Sequence, residues 1–106
     1  MGKSKSDSFT AEQNRLAGYA KALAHPARIA IIEHLVNKGS CVCGDIVEEL
    51  PLSQSTVSQH LRELKKAGII QGNIEGTSVC YCLDTVCCNG VANMLKDLLS
   101  MTKGCC

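Results

Sequence analysis

The stretch from Cys41 to Ile70, CVCGDIVEELPLSQSTVSQHLRELKKAGII, decides the fold. It reads as two helices separated by a tight turn that contains a proline. Ile46, Val47 and Leu50 give the first helix a short apolar face. Leu50-Pro51 stops it, because the residue before a proline avoids the α region. Ser53 is then a natural N-cap, with a side-chain oxygen for an otherwise unpaired N–H of the next turn. Val57, Leu61 and Leu64 follow at i, i+4 and i+7, one face of a second helix. The opposite face carries Gln54, Ser55, Thr56, Ser58, Gln59, His60 and Arg62. This is a helix-turn-helix pattern in which the second helix presents hydrogen-bonding groups.

That chemistry suits the major groove of DNA. Gln can pair bidentately with adenine, Ser and Thr can contact bases or phosphates, and Arg can read guanine or bind phosphate. Short side chains at the N-terminal end let the backbone approach the groove. A polar face alone is also what any solvated helix shows. The turn, the cap and the segment that follows decide between the two. That segment is GIIQGNIEGTSVCYCL. Gly68 closes the helix as its C′ residue. Ile69-Ile70 begins a strand, Asn73 to Ser78 is turn-like, and Val79, Tyr81 and Leu83 alternate with Cys80 and Cys82 as in a half-buried strand. A β-hairpin directly after a helix-turn-helix makes a winged helix.

Over roughly residues 16 to 84 the chain resembles the ArsR/SmtB family of metal-responsive winged-helix repressors. The resemblance rests on KALAHPARIAIIEHL, then CVCGD, then LSQSTVSQHLRELKKAGII, then GTSVCYCL, in that order. The CVC-G-D element resembles the CVC-D-L element of the arsenite-sensing branch. It departs from that branch where a third cysteine often follows, since Ile46 and Val47 stand there. His25 stands where the family usually has Asp. The resemblance implies a mainly α fold with a small β-hairpin, about five helices plus a wing, dimerising through the terminal helices. It also implies a function: a repressor on double-stranded operator DNA, as a homodimer on an imperfect palindrome. Residues 53–56, 58–60, 62 and 65 (Ser53, Gln54, Ser55, Thr56, Ser58, Gln59, His60, Arg62 and Lys65) are the expected DNA-contacting set.

The 106 residues suggest one domain. We divide it into a flexible N-terminal segment, 1–9, a winged-helix DNA-binding and dimerisation domain, 10–102, and a Cys-containing tail, 103–106. The core must be aliphatic, because there is no Trp, one Phe and two Tyr. A net charge of +1 does not by itself argue for nucleic acid. The local cluster Arg62, Lys65 and Lys66, with one acid at Glu63, has to carry that case. No apolar run approaches a membrane span, and the polar opening MGKSKSDSFT is unlike a signal peptide, so a cytoplasmic protein is expected.

Thr10 can cap a first helix, with Gln13 three residues on as in a capping box. Leu16, Ala20, Leu23 and Ala24 line its apolar side. Pro26 suits the first position of a second helix, Pro26 to Asn37, expected to bury Ile29, Ile32, Leu35 and Val36. A final helix over about Thr85 to Thr102 has a wide apolar face of Val91, Met94, Leu95, Leu98 and Leu99. In a small protein such a face reads as a dimer surface. The wing tip, with Asn73, Glu75 and Thr77, lacks the Arg or Lys common in the family, so the recognition helix is expected to dominate DNA affinity.

Eight cysteines fall as four pairs: Cys41/Cys43, Cys80/Cys82, Cys87/Cys88 and Cys105/Cys106. None shows the CxxC…CxxC spacing of a structural zinc site. Soft thiolates favour soft ions. The three histidines read as caps, surface or DNA contacts rather than ligands, and the final helix lacks the Asp/His/Glu ligands of the family's zinc-sensing branch. The expected inducer is therefore As(III) or Sb(III), with Cd(II) or Pb(II) next, and no cofactor is required for DNA binding. Cys41 and Cys43 are the first-choice ligands, placed at the start of the third helix, where the dipole lowers a thiol pKa. Cys105 and Cys106 are preferred for the remaining positions. Cys80 and Cys82, on the outward face of the wing strand, are an alternative if the Cys41 segment pairs as a short strand, and Cys87/Cys88 are another. A second reading keeps the repressor but makes the signal a reversible disulfide or persulfide. A thiol redox enzyme or a metal-storage protein is a third. Neither a CxxC nor a phosphatase-like loop is present for an enzyme, and storage has no need of a helix-turn-helix.

Overall fold

The computed structural model describes residues 5–43, 46, 50–75 and 78–105. Its elements run in the order α1 (Ala11–Leu23), α2 (Pro26–Lys38), β1 (Val42–Cys43), α3 (Gln54–Lys66), β2 (Ile70–Glu75), β3 (Ser78–Leu83) and α4 (Thr85–Ser100), after a one-turn 3-10 helix at Lys5–Ser8. The fold is mainly helical with a small sheet, as a winged helix requires. Four α-helices occur among the described residues rather than about five. Most of the expected third helix, including Val47, lies outside them, and so does Thr77 of the wing tip. The 3-10 turn falls within the N-terminal segment read as flexible.

Local chemistry sets the helix ends. Thr10 accepts from the Gln13 N–H at 3.0 Å while the Gln13 side chain accepts from the Thr10 N–H at 3.0 Å, completing the capping box of α1. Pro26 opens α2, and its N-cap is His25, whose Nδ1 accepts from the Ala27 N–H at 3.0 Å. An imidazole nitrogen thus fills the N-cap position of α2. Gly39, at φ 66°, closes α2 in the left-handed region. Ser53 caps α3, and Gly68, at φ 86°, turns the chain from α3 into β2. A Cβ at Gly68 would also meet the Cys87 Sγ at 3.6 Å.

The three strands are antiparallel in the order β1-β3-β2, so the wing strand β3 is central. β2 and β3 pair from Ile70↔Leu83 to Glu75↔Ser78, so the hairpin ladder runs further toward the tip than the turn-like composition of 73–78 suggests. β1 adds to the other edge of β3, with Val42↔Tyr81 and Cys43↔Cys80. Cys41 and Cys43 were expected at a helix start; the structure puts Cys43 in a strand and Cys41 just before it.

The core gathers Ile31 and Leu35 from α2, Val42 from β1, Ile46 from the segment before α3, Val57, Leu61 and Leu64 from α3, and Ile69 and Ile70 at the start of the wing. Two faces differ from the sequence reading. α1 turns Tyr19, Ala22 and Leu23 inward, and leaves Ala20 and Ala24 exposed. α2 buries Ala27, Ile31 and Leu35, while Ile29 and Val36 are 43% and 59% exposed. Apolar residues on more than one side of α2 gave two possible faces. Packing against α3 and β3 selected the one centred on Ile31.

Candidate nucleic-acid interface and cysteine ladder

The recognition helix α3 sorts its residues cleanly. Val57, His60, Leu61 and Leu64 are buried, at i, i+3, i+4 and i+7. Ser53, Gln54, Ser55, Thr56, Gln59, Arg62 and Lys65 are exposed, and Ser58 is half-buried. At the N-terminus the Ser53 Oγ accepts from the Thr56 N–H at 3.3 Å and lies 2.9 Å from the Thr56 Oγ1 and 3.2 Å from the Ser55 Oγ. One hydroxyl cluster thus caps the N-terminal end of the helix. Further along, the Arg62 guanidinium donates to the Gln59 Oε1 at 2.8 Å, and the Gln59 amide donates to the Glu63 Oε1 at 3.2 Å. The Gln59 head is therefore held on the outer face, one turn from the Ser55 hydroxyl.

Lys65 has a second neighbour that spacing does not reveal. Its stem lies across the wing at Gly72, where an added Cβ would come within 3.3 Å of both the Lys65 Nζ and the Tyr81 ring. The glycine makes room for the lysine, which spans from the recognition helix to the hairpin. Of the wing tip, Asn73 is exposed, and the side chain of Glu75 is outside the described ones.

His60 departs from the expected DNA-facing set. It is 8% exposed and turned toward α2. Its Nδ1 accepts from the Arg28 Nε–H at 3.0 Å, and its ring lies 4.3 Å from the His25 ring, centroid to centroid. Arg28 also donates to the Lys21 and Ala22 carbonyls at 3.4 and 3.3 Å, so one guanidinium ties the end of α1 to α3. The signal was present in the sequence, because position 60 lies three after Val57 and four before Leu64. Burial, followed by the fields of His25 and Arg28, holds the His60 pKa below the usual imidazole value. A depressed folded-state pKa means that the unfolded chain binds this proton more readily. The stabilisation is then complete above the unfolded-state value of about 6.5, and is lost as pH falls below it. Thermal unfolding scanned from pH 8 to pH 5 should show Tm falling with acidity, and His60→Gln should flatten that slope. An unchanged slope would place the titrating group elsewhere.

The cysteines form a ladder. Cys41 is joined to Cys82 and Cys43 to Cys80 as disulfides, with Cα–Cα distances of 4.3 and 4.0 Å. These are cross-strand partners of the close, non-hydrogen-bonded kind. Residues two apart on a strand share a face, so all four sulfurs stand on one side of the β1–β3 pair. Cys80 is 3% exposed, whereas Val79 is 41% exposed, which reverses the alternation expected at that end of β3. The pairing with β1, invisible to a two-residue periodicity, covers Cys80.

The other thiols sit apart. Cys87 and Cys88, in the first turn of α4, are free and half-buried. The Cys88 thiol donates to the Ile69 carbonyl at 3.7 Å, and burial, then Cys87 and Asp84, raises its pKa. Asp84 caps α4 through the Cys87 N–H at 3.0 Å and accepts from the Gln71 amide at 2.9 Å; these two contacts, with a smaller one from the Val86 backbone, hold its carboxyl below the usual range. Cys105 is free and exposed, with its thiol toward the Met101 carbonyl at 3.7 Å, and Cys106 lies outside the described residues. The structure thus brings Cys41 and Cys43 together with Cys80 and Cys82, and among the described residues no cluster of three or more such ligands includes Cys105.

A capped, amphipathic second helix with a polar outer face, followed by a hairpin wing, defines a winged-helix DNA-binding regulator. The chain belongs to the bacterial regulatory protein, arsR family, whose model matches residues 25–71. It is 38% identical over 78 residues to the HTH-type transcriptional regulator Rv2034 of Mycobacterium tuberculosis, covering 74% of this chain and 69% of that protein. It is 44% identical over 61 residues to the HTH-type transcriptional repressor SmtB of the same organism, covering 58% of this chain and 44% of SmtB. Relatives matching at 44–48% identity are spanned over only 44–64% of their length. Among solved structures, an ArsR family transcriptional regulator, RHA00566, superposes with a TM-score of 0.73 over 87% of this chain and 94% of that one. At 17% identity, that likeness speaks for the fold alone. These relatives are transcriptional regulators rather than enzymes. No helix among the described residues is long and apolar enough to cross a membrane.

Proposed function

We propose that the chain is a cytoplasmic, homodimeric repressor of a metal(loid)-resistance operon. It leaves its operator when cysteine thiolates capture As(III) or Sb(III), with Cd(II) or Pb(II) as the next candidates. The observation that supports this best is a shared core. Val42, between Cys41 and Cys43, is buried in the same cluster as Val57, Leu61 and Leu64, the inner face of the recognition helix. An ion that draws on Cys41 and Cys43 displaces Val42, and with it the support on which α3 is oriented. A coupling of ~1–3 kcal/mol changes DNA affinity ~5–150-fold. Leu98, Leu99 and Met101, 48%, 61% and 73% exposed at the end of α4, offer the apolar surface for a second copy. A two-fold dimer would set two α3 helices about 34–36 Å apart, on two half-sites of an imperfect palindrome.

The test is fluorescence anisotropy of a labelled fragment of the protein's own promoter, at fixed salt and in a non-chelating reductant. Arsenite should release the wild-type protein stoichiometrically. The variant Cys41→Ser with Cys43→Ser should bind DNA normally and resist release. Release of that variant by arsenite would refute the site. The disulfides Cys41–Cys82 and Cys43–Cys80 favour a second reading, in which oxidation is itself the signal. Release by oxidant alone, with indifference to every ion in reductant, would establish it.

A further inference from the structure

We propose that Cys41, Cys43, Cys80 and Cys82 form one four-thiolate site within a single subunit, which takes a soft thiophilic ion between β1 and β3, and that the two disulfides are its closed form. The proposal deepens the inducer reading by naming the remaining sulfurs, and rests on that reading only for its effect at the operator.

The register carries it. Cys43 is the direct partner of Cys80, and Cys41 continues the same ladder to Cys82, at Cα–Cα distances of 4.0 and 4.3 Å. Along each strand the two cysteines are two positions apart, about 6.7 Å on one face. The four Cα atoms are therefore the corners of a narrow rectangle. A tetrahedral tetrathiolate with metal–sulfur bonds of about 2.3 Å needs sulfurs about 3.8 Å apart. Once the disulfides are opened, sulfurs carried on Cα atoms 4.3 and 4.0 Å apart can take that spacing across each rung. The long side closes when the side chains of the two rungs lean toward each other, which pulls on β1 and on Val42 between its two cysteines. A trivalent arsenical uses three of the four.

Access and chemistry agree with this geometry. β1 is an edge strand, with Cys41 and Cys43 exposed, Cys82 half-buried and Cys80 buried. An ion can therefore enter from the β1 side and end against Cys80. With both disulfides made, no three His, Cys, Asp or Glu side chains among the described residues stand together to hold a metal ion. A disulfide sulfur is not a thiolate, so capture requires reduction first. Closing the site with a peroxide balances as two thiols and one H2O2 giving one disulfide and two waters, twice per subunit. Each sulfur pair loses two electrons, and two reducing thiols return them per disulfide, ending as a disulfide of their own. Because both forms use the same sulfurs, oxidation and ion capture exclude each other.

The experiment uses the full chain, reduced with a phosphine and freed of it, titrated with Cd(II). Thiolate-to-metal charge-transfer absorbance reports the number of sulfurs bound. One ion per subunit is expected. Cys80→Ser with Cys82→Ser should weaken Cd(II) binding ~100-fold or more, beyond what loss of an outer-shell partner costs, and should roughly halve the absorbance per ion. Cys105→Ser with Cys106→Ser should change neither. Circular dichroism and metal-free operator binding check that each variant folds. Unchanged Cd(II) binding after loss of Cys80 and Cys82, or its loss with the C-terminal pair, would overturn the site. Prior treatment with hydrogen peroxide should abolish uptake until reductant is added; uptake by the oxidised protein would overturn the closed form. Operator anisotropy separates the two readings. If Cd(II) binds with four thiolates and the DNA stays bound, the site stands and the inducer function fails.

Discussion

Replacing Gln54, Ser55 and Gln59 together by alanine should abolish specific operator recognition while the fold and self-association survive. All three are exposed on the outer face of α3, away from Val57, Leu61 and Leu64. Ser53 is left in place, so the cap on the helix N-terminus is retained. A well-placed bidentate side chain is worth ~1–3 kcal/mol of base discrimination. The two glutamines alone then supply ~2–6 kcal/mol, and their loss should lower specific affinity by ~30-fold or more. Arg62, Lys65 and Lys66 remain, so weak binding to unrelated DNA should persist with its salt dependence little altered. Anisotropy on operator and scrambled duplexes at one stated salt concentration checks this, with sedimentation to report the assembly. Specific binding that persists in the triple variant would mean that another surface reads the sequence.

Leu64→Ala should be the most damaging single truncation of the core. Leu64 is fully buried, among the most enclosed large side chains together with Ile31, Leu35, Ile70 and Val57. It ends the inner face of α3, and its carbonyl accepts the Ile69 N–H at 3.1 Å, where the chain turns into the wing. Truncation removes buried methyl groups and leaves a cavity that neighbours fill only partly, at a cost of ~2–5 kcal/mol. Against a total stability of ~5–15 kcal/mol that is a large share. Tm should fall by about 10–30 °C. Because the same side chain supports both α3 and the start of β2, operator affinity should fall more than the folded fraction alone accounts for. Calorimetry beside anisotropy measures both. A Tm within a few degrees of wild type would show that the site collapses around the smaller side chain.

The helix ends and the winged-helix order were legible because capping and turn chemistry act between neighbours. Thr10 with Gln13, Pro26, Gly39, Ser53 and Gly68 each do what their residue types dictate. The apolar faces of α1 and α2 were less so. Both carry small or branched apolar residues on more than one side, and spacing alone does not say which side a neighbour will cover. His60 was misplaced for a related reason. Its imidazole suits a polar face by type, but its position on the wheel puts it beside Arg28 and His25.

The sequence by itself determined the DNA-reading unit: a capped helix with three apolar residues inward, hydrogen-bonding groups outward, and a hairpin behind it. Local rules suffice there, because helix period and caps depend on residues within a turn or two. Only the tertiary structure decided the cysteine arrangement. Cys41 and Cys82 are 41 positions apart and Cys43 and Cys80 are 37 apart. No periodicity links them. They meet because Val42 enters the core and draws β1 against the free edge of β3, and the antiparallel register then sets every cysteine of one strand opposite a cysteine of the other.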